Sequence, residues 1–167
     1  YRDTSNQLQY RVHAGAGVPP DLATSFTDGF GMNQSPTYKS ISLGNYTKYA
    51  DAAFPEVDFA APLYVVDQFT ASTGTDTTYQ NQFWYYGARL HLQGRGFEGF
   101  YAQRIYDSRN SLYTYDYVHR QFPYTGMHIQ RLVRQQDTTT AVSTWVGTPN
   151  VQSLGTGIEQ RKFPFIA

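Results

Sequence analysis

Apolar and polar side chains alternate along most of this chain. Leu8, Tyr10 and Val12 share one face of a short run, which Gly15, Gly17, Pro19 and Pro20 end. A period of two is the signature of a half-buried strand. The pattern predicts a hairpin with strands at 22–27 and 35–43 around Asp28-Gly29-Phe30-Gly31, whose glycines supply positive φ. Pro36 marks an edge or a bulge on the return strand. Further strands are expected at 63–70 and 77–86 across Ser72-Thr73-Gly74-Thr75-Asp76, and at 88–93. Strands at 101–106 and 111–121 flank Asp107-Ser108-Arg109-Asn110, and a last hairpin pairs 127–135 with 140–146 across Gln136-Asp137-Thr138-Thr139. Residues 44–62 lack the alternation. Gly44, Asn45, Pro55 and Pro62 punctuate Tyr46, Tyr49, Phe54 and Phe59 there, predicting a long loop pinned by its aromatics, with a helical turn at Lys48–Phe54.

Gly94-Arg95-Gly96-Phe97-Glu98-Gly99-Phe100 stands apart. Glycines this dense disfavour a helix. They suit a sharply bent or bulged strand that lets another backbone come close. A weak repeat also emerges. Phe26 to Gly31 leads to Tyr38, Ile105-Tyr106-Asp107-Ser108-Arg109-Asn110 leads to Tyr113 and Tyr115, and Gln136-Asp137-Thr138-Thr139 leads to Trp145. Each unit is a strand, an Asp-headed turn and a strand bearing an aromatic side chain. Asp suits such turns because its carboxylate caps backbone N–H groups.

Composition strengthens the β reading. The chain of 167 residues carries 15 Tyr, 11 Phe and 2 Trp, with 14 Gly and 8 Pro for turns. Thirteen basic residues balance thirteen acidic ones. That balance argues against nucleic acid, which selects for excess Lys and Arg, and against a polybasic membrane anchor. No Cys is present, so disulfides, thiolate metal sites and Cys nucleophiles are excluded. No apolar run approaches the roughly 18–20 residues of a transmembrane helix. Tyr1-Arg2-Asp3-Thr4 does not resemble a signal peptide, and the missing initial Met suggests an excised or processed segment.

Candidate chemistry is sparse. His13, His91, His119 and His128 show no HExxH spacing; His91 and His119 fall in alternating strands, where a structural role is expected. Asp107 and Asp116 could be read as a carboxylate pair, but Asp107 heads a turn. Glu98, between two glycines, is the more notable acid, and a glycoside hydrolase reading would rest on it. There is no Gly-x-Ser-x-Gly elbow. Gly94-x-Gly96-x-x-Gly99 fits a dinucleotide spacing, but the residues that follow read as strand where that site needs a helix. Tyr113, Tyr115 and Tyr117 fit a cross-strand ladder. The alternative use of so many aromatic rings is sugar stacking, in a carbohydrate- or cell-surface-binding β-sandwich module with Trp84 and Trp145 as reporters.

The segment Tyr86-Gly87-Ala88-Arg89-Leu90-His91-Leu92-Gln93 and the Gly94–Phe100 run that follows it resemble a stretch of toxin-complex B subunits and related Rhs/YD-repeat proteins. Pro62-Leu63-Tyr64-Val65-Val66, the Asp28-Gly29-x-Gly31 turn with Tyr38-Lys39, and Tyr117 through Gln121-Phe122-Pro123-Tyr124-Thr125-Gly126 resemble that region too, so the likeness spans roughly residues 18–146. The turns at Asp107 and Asp137 depart from it in lacking glycine.

The resemblance implies an all-β fold: antiparallel hairpins in a curved or extended sheet of YD-repeat type. Residues 1–21 would be a leading strand and linker, 22–146 the β domain, and 147–167 a Gly/Pro/Ser-rich tail. The implied role is a non-enzymatic structural segment of a secreted or cell-surface bacterial virulence shell that encloses a toxin cargo. Gly94, Arg95, Gly96, Phe97, Gly99, Phe100, Asp28, Gly29, Gly31, Tyr106 and Asp107 would be its structural motif. No catalytic residue, metal or cofactor is expected. Its partners would be neighbouring shell segments of the same polypeptide and other toxin-complex subunits. Tyr64, Val66, Phe83, Tyr85, Phe97 and Phe100 would form the packing face.

Overall fold

The computed structural model describes residues 21–74, 77–136, 139–157 and 160–167. The expected strand at Leu8–His13 lies outside them. The described chain is all-β, with fourteen strands: β1 (Phe26–Thr27), β2 (Asn33–Ser40), β3 (Tyr46–Thr47), β4 (Glu56–Asp58), β5 (Tyr64–Ser72), β6 (Thr78–Tyr86), β7 (Arg89–His91), β8 (Gly96–Gly99), β9 (Ala102–Asp107), β10 (Leu112–Val118), β11 (His128–Gln135), β12 (Ala141–Val146), β13 (Pro149–Leu154) and β14 (Arg161–Ile166). No helix among the described residues is long and apolar enough to cross a membrane.

The main sheet runs β1-β2-β5-β6-β9-β10-β11-β12, and every neighbouring pair is antiparallel. Among the described residues the one parallel pairing is β3 on the second half of β6, with Tyr46 opposite Tyr85. Two smaller sheets accompany it, β4-β7-β8 and the hairpin β13-β14. The β7–β8 hairpin is an insertion between β6 and β9. The chain leaves at Gly87 and returns at Tyr101, whose N–H donates to Tyr86 O at 2.9 Å.

The Asp-headed turns at Asp28 and Asp107 form as expected, and the one expected at Asp137 lies outside the described residues. Asp28 Oδ1 accepts from the N–H groups of Phe30 and Met32, both at 2.9 Å. Only Gly31 of that turn takes positive φ, at 82°. The glycine-free turn closes by other means: Asp107 Oδ1 accepts from Arg109 N–H, Asn110 Oδ1 from Leu112 N–H, and Ser111 adopts the left-handed conformation at φ 56°. Pro36 lies past the two residues that β1 pairs, where no ladder hydrogen bond to β1 is required of it, and a bulge follows at Thr37/Tyr38.

Several expectations change. Residues 44–62 hold no helical turn at Lys48–Phe54; they contribute β3 and β4. The Gly/Pro/Ser-rich segment after Gly147 contributes the paired strands β13 and β14, with Pro149 tolerated as the first residue of its strand. The first strand shrinks from 22–27 to Phe26–Thr27, and the strand drawn at 111–121 ends at Val118. The Gly94–Gly99 run is not a bent strand approached by another backbone. It makes the turn and return strand of a hairpin, with φ of 96°, 75° and 89° at Gly94, Gly96 and Gly99, and no atom would lie within 4 Å of an added Cβ at any of them. Backbone conformation, not close approach, requires glycine there. The bulge survives at the end of the hairpin, between Arg89 and Leu90.

Strand alternation gives the main sheet two faces. One carries Phe69, Phe83, Tyr85, Asp116, Arg131 and Trp145; the other carries Trp84, Arg104, Tyr106, Tyr113, Tyr115 and Tyr117. Enclosed apolar side chains are few: Ile41, Ala71, Tyr85, Ala88, Ala102 and Leu132. Tyr85 is the large one. Its hydroxyl donates to Val66 O at 2.9 Å, and burial pushes the phenol pKa up to about 12.

Candidate functional site

The second face is a ladder of rings and guanidinium groups. Tyr106 and Tyr113 pack at 4.9 Å between centroids, and Trp84 lies 6.2 Å from Tyr113. Arg104 sits 3.9 Å over the Trp84 ring, and Arg134 lies over Tyr115 at 5.6 Å. Each such contact contributes roughly 0.5–1.5 kcal/mol beyond burial. Arg104 covers one indole face of Trp84, the surface a sugar ring would stack on.

A charged knot holds residues 44–62 against the β6–β7 junction. Arg89, only 6% exposed, meets Asp51 at 3.0 Å, Glu56 in a short contact and Asp58 at 3.9 Å. Arg120 donates to Gly87 O at 2.7 Å and reaches Asp51 at 3.7 Å. Hydrogen bonding to Arg89 holds the Asp51 carboxyl below the usual carboxylate range. Tyr46 stitches the same region, donating to Phe59 O at 2.7 Å and accepting from Ala88 N–H at 3.1 Å. The aromatic pinning expected of this loop is therefore present. Tyr49 lies directly over Gly87, which takes φ 59°.

The first face carries a groove built from three adjoining cavities. At the β1–β2 end, about 340 Å³ is lined by residues including Phe26, Tyr38, Val66, Phe69 and Phe83. Tyr85 and Gln103 join it to a middle cavity of about 240 Å³, where Glu98, Gly99 and Phe100 of the inserted hairpin face Asp116, Val118 and His128 of the sheet. Asp116 and His128 join that to a third stretch of about 450 Å³, lined by Arg131 and Trp145. Asp116 is buried and clamped by Arg131, Nη2 to Oδ2 at 3.0 Å with Nε on the other oxygen. His128 Nδ1 stands 4.0 Å from Asp116. Glu98 is 6% exposed, and neither carboxylate oxygen has a hydrogen-bond partner. Burial, reinforced by the Glu56 charge, raises its pKa.

No family model, no curated protein and no solved structure matches the chain.

The groove divides the sequence-predicted residues. Glu98, Gly99 and Phe100 enter it, Phe100 packing on Tyr85 at 4.9 Å. Phe97 packs on Phe59 and Phe100 and stays substantially exposed, as does Tyr64. Arg95 lies 4.0 Å over the Phe122 ring. Asp28, Gly29 and Gly31 belong to a turn, and Asp107 bonds Arg109 at a loop; neither place lines the middle cavity. Tyr106 is on the opposite face.

Asp107 and Asp116 do not form a glycosidase pair. Asp107 stands opposite Leu112, four residues along β10 from Asp116. At about 3.3 Å per residue that is roughly 13 Å, beyond the roughly 5–9.5 Å such pairs need. His119 lines a different cavity, with Asp51, Arg89 and Arg120, from the one that Glu98 lines. Among the described residues, no three His, Asp or Glu side chains form a metal-binding group. Sequence reasoning missed Asp116, Arg131 and His128 as one cluster. An Asp–Arg cross-strand pair leaves no periodic trace.

Proposed function

We propose that the chain is a structural β segment of a large secreted or cell-surface bacterial shell, of the Rhs/YD-repeat or toxin-complex B-like kind, that helps enclose or present a toxin cargo. Its partners in this reading are neighbouring segments of the same polypeptide and other subunits of the complex. The Gly94–Phe100 motif and the succession of Asp-headed hairpins support the family; the arrangement of apolar surface supports the role.

The observation that carries the reading is how little of that surface the sheet covers for itself. Phe30 is 96% exposed and Leu43 80%, and every residue of β14 is exposed, including Phe163, Phe165 and Ile166. Among the described residues no large side chain is wholly enclosed. Extensive exposed apolar surface marks an interaction face, and a lone two-stranded hairpin is marginal in water. Sheet faces of this kind suit a wall packed between neighbours.

Sedimentation velocity and binding of a hydrophobic fluorescent dye test this on the isolated chain. The proposal predicts dye binding and concentration-dependent association. A monomeric, dye-silent chain would remove its support.

A further inference from the structure

We propose that the middle cavity of the groove is a binding site for an alkyl-ammonium or guanidinium group, with Glu98 as its counter-ion. The inference does not depend on the shell reading. Glu98 is more than nine-tenths buried, lines the cavity, and leaves both carboxylate oxygens unmet. A buried carboxylate in that condition is costly unless it takes up a proton or pairs with a cation.

The neighbouring charges do not already supply one. Glu56 bonds Arg89. Around the hairpin, Arg89, Arg95 and Arg120 stand among four carboxylates, those of Asp51, Glu56, Asp58 and Glu98, which leaves one negative charge in excess. Arg95 is stacked on Phe122, and His91 Nδ1 is engaged by Gln93 N–H at 3.2 Å. Across the cavity, Asp116 is already satisfied by Arg131. One acid is thus unpaired beside one that is neutralised, which favours a single cationic head.

The walls suit the stem of such a group. Tyr85 and Phe100 present aromatic surface, against which methylenes pack and a cation is attracted. The middle cavity, about 240 Å³, is smaller than the roughly 300–1,000 Å³ of drug-sized sites. It has room for one extended side chain.

The test is an NMR titration of the ¹⁵N-labelled full chain near about pH 8, where carboxylates are ionised and alkyl amines are charged. The probes are n-butylamine, n-butylguanidinium, and capped Gly-Lys-Gly and Gly-Arg-Gly peptides, with butanol and glucose as controls. Saturable shifts at Gly99 and Gly126 with the cations alone are expected, and Glu98→Gln should weaken them about tenfold or more, as for loss of a charged hydrogen bond. Peptides binding more tightly than the free cations would identify a partner's side chain as the source; equal binding would identify a small amine or guanidine. No saturable cation binding, equal binding by Glu98→Gln, or glucose or butanol binding as well as the cations would overturn the proposal. Unchanged shifts elsewhere in Glu98→Gln show that the variant is folded.

Discussion

Replacing Gly87 with Ala separates backbone strain from packing at the junction that pins residues 44–62. Gly87 holds φ 59°, where a side chain costs about 1–2 kcal/mol. An added Cβ would also lie 2.6 Å from Tyr49 Cδ2, 2.9 Å from Cε2 and 3.0 Å from Arg120 Nη1. The ring must move, and overpacking of this kind costs roughly 1–3 kcal/mol. The expected total is about 2–5 kcal/mol. Gly96→Ala is the control: φ is 75°, and no atom lies within 4 Å of the new Cβ, so only strain of about 1–2 kcal/mol applies. Equilibrium urea unfolding of both variants, and of Gly87→Ala with and without Tyr49→Ala, measures the difference. A coupling of about 0.5–3 kcal/mol between positions 49 and 87 is expected. Equal losses for Gly87→Ala and Gly96→Ala, with no coupling to Tyr49, would refute the packing argument.

Three further outcomes follow from the same geometry. Arg89→Leu strands Glu56 and Asp58 without their cation and should cost about 3–5 kcal/mol by urea unfolding. Asp28→Ala removes acceptors for Phe30 and Met32 N–H and should cost about 1 kcal/mol by the same measure. Glu98 has its folded pKa raised, so the folded state binds the proton more tightly than the unfolded chain. Its ionisation therefore lowers stability as pH rises from the unfolded carboxyl value of about 4.3 to the raised folded one. Glu98→Gln should be more stable than the parent at neutral pH and lack that step in a pH series of thermal melts.

The long strands were legible because their own residues carry the signal. β5, β6, β9 and β10 alternate over six to nine positions, and their turns announce themselves through Asp, Asn and Gly. β3 and β4 were not, because two or three residues are too few to show a period and their partners, Tyr85–Tyr86 and Arg89–His91, lie more than thirty residues away. β13 and β14 hid behind loop-like composition, since Pro149, Asn150 and Pro164 disfavour strands yet are accommodated where only one neighbour pairs. Glu98 stood out between its glycines, but its place in the groove depends on how the inserted hairpin folds back on β10, which no local pattern encodes. The glycines show the same limit. Sequence marks where φ must be unusual, not whether the reason is a turn or a close neighbour.

Amide hydrogen exchange of the chain on its own tests the wall reading most directly. A segment that relies on neighbours to cover its outer surfaces should protect β5, β6, β9 and β10 strongly while β12, β13 and β14 exchange freely. Uniform protection extending through β14 would mean a self-sufficient module and would contradict the account.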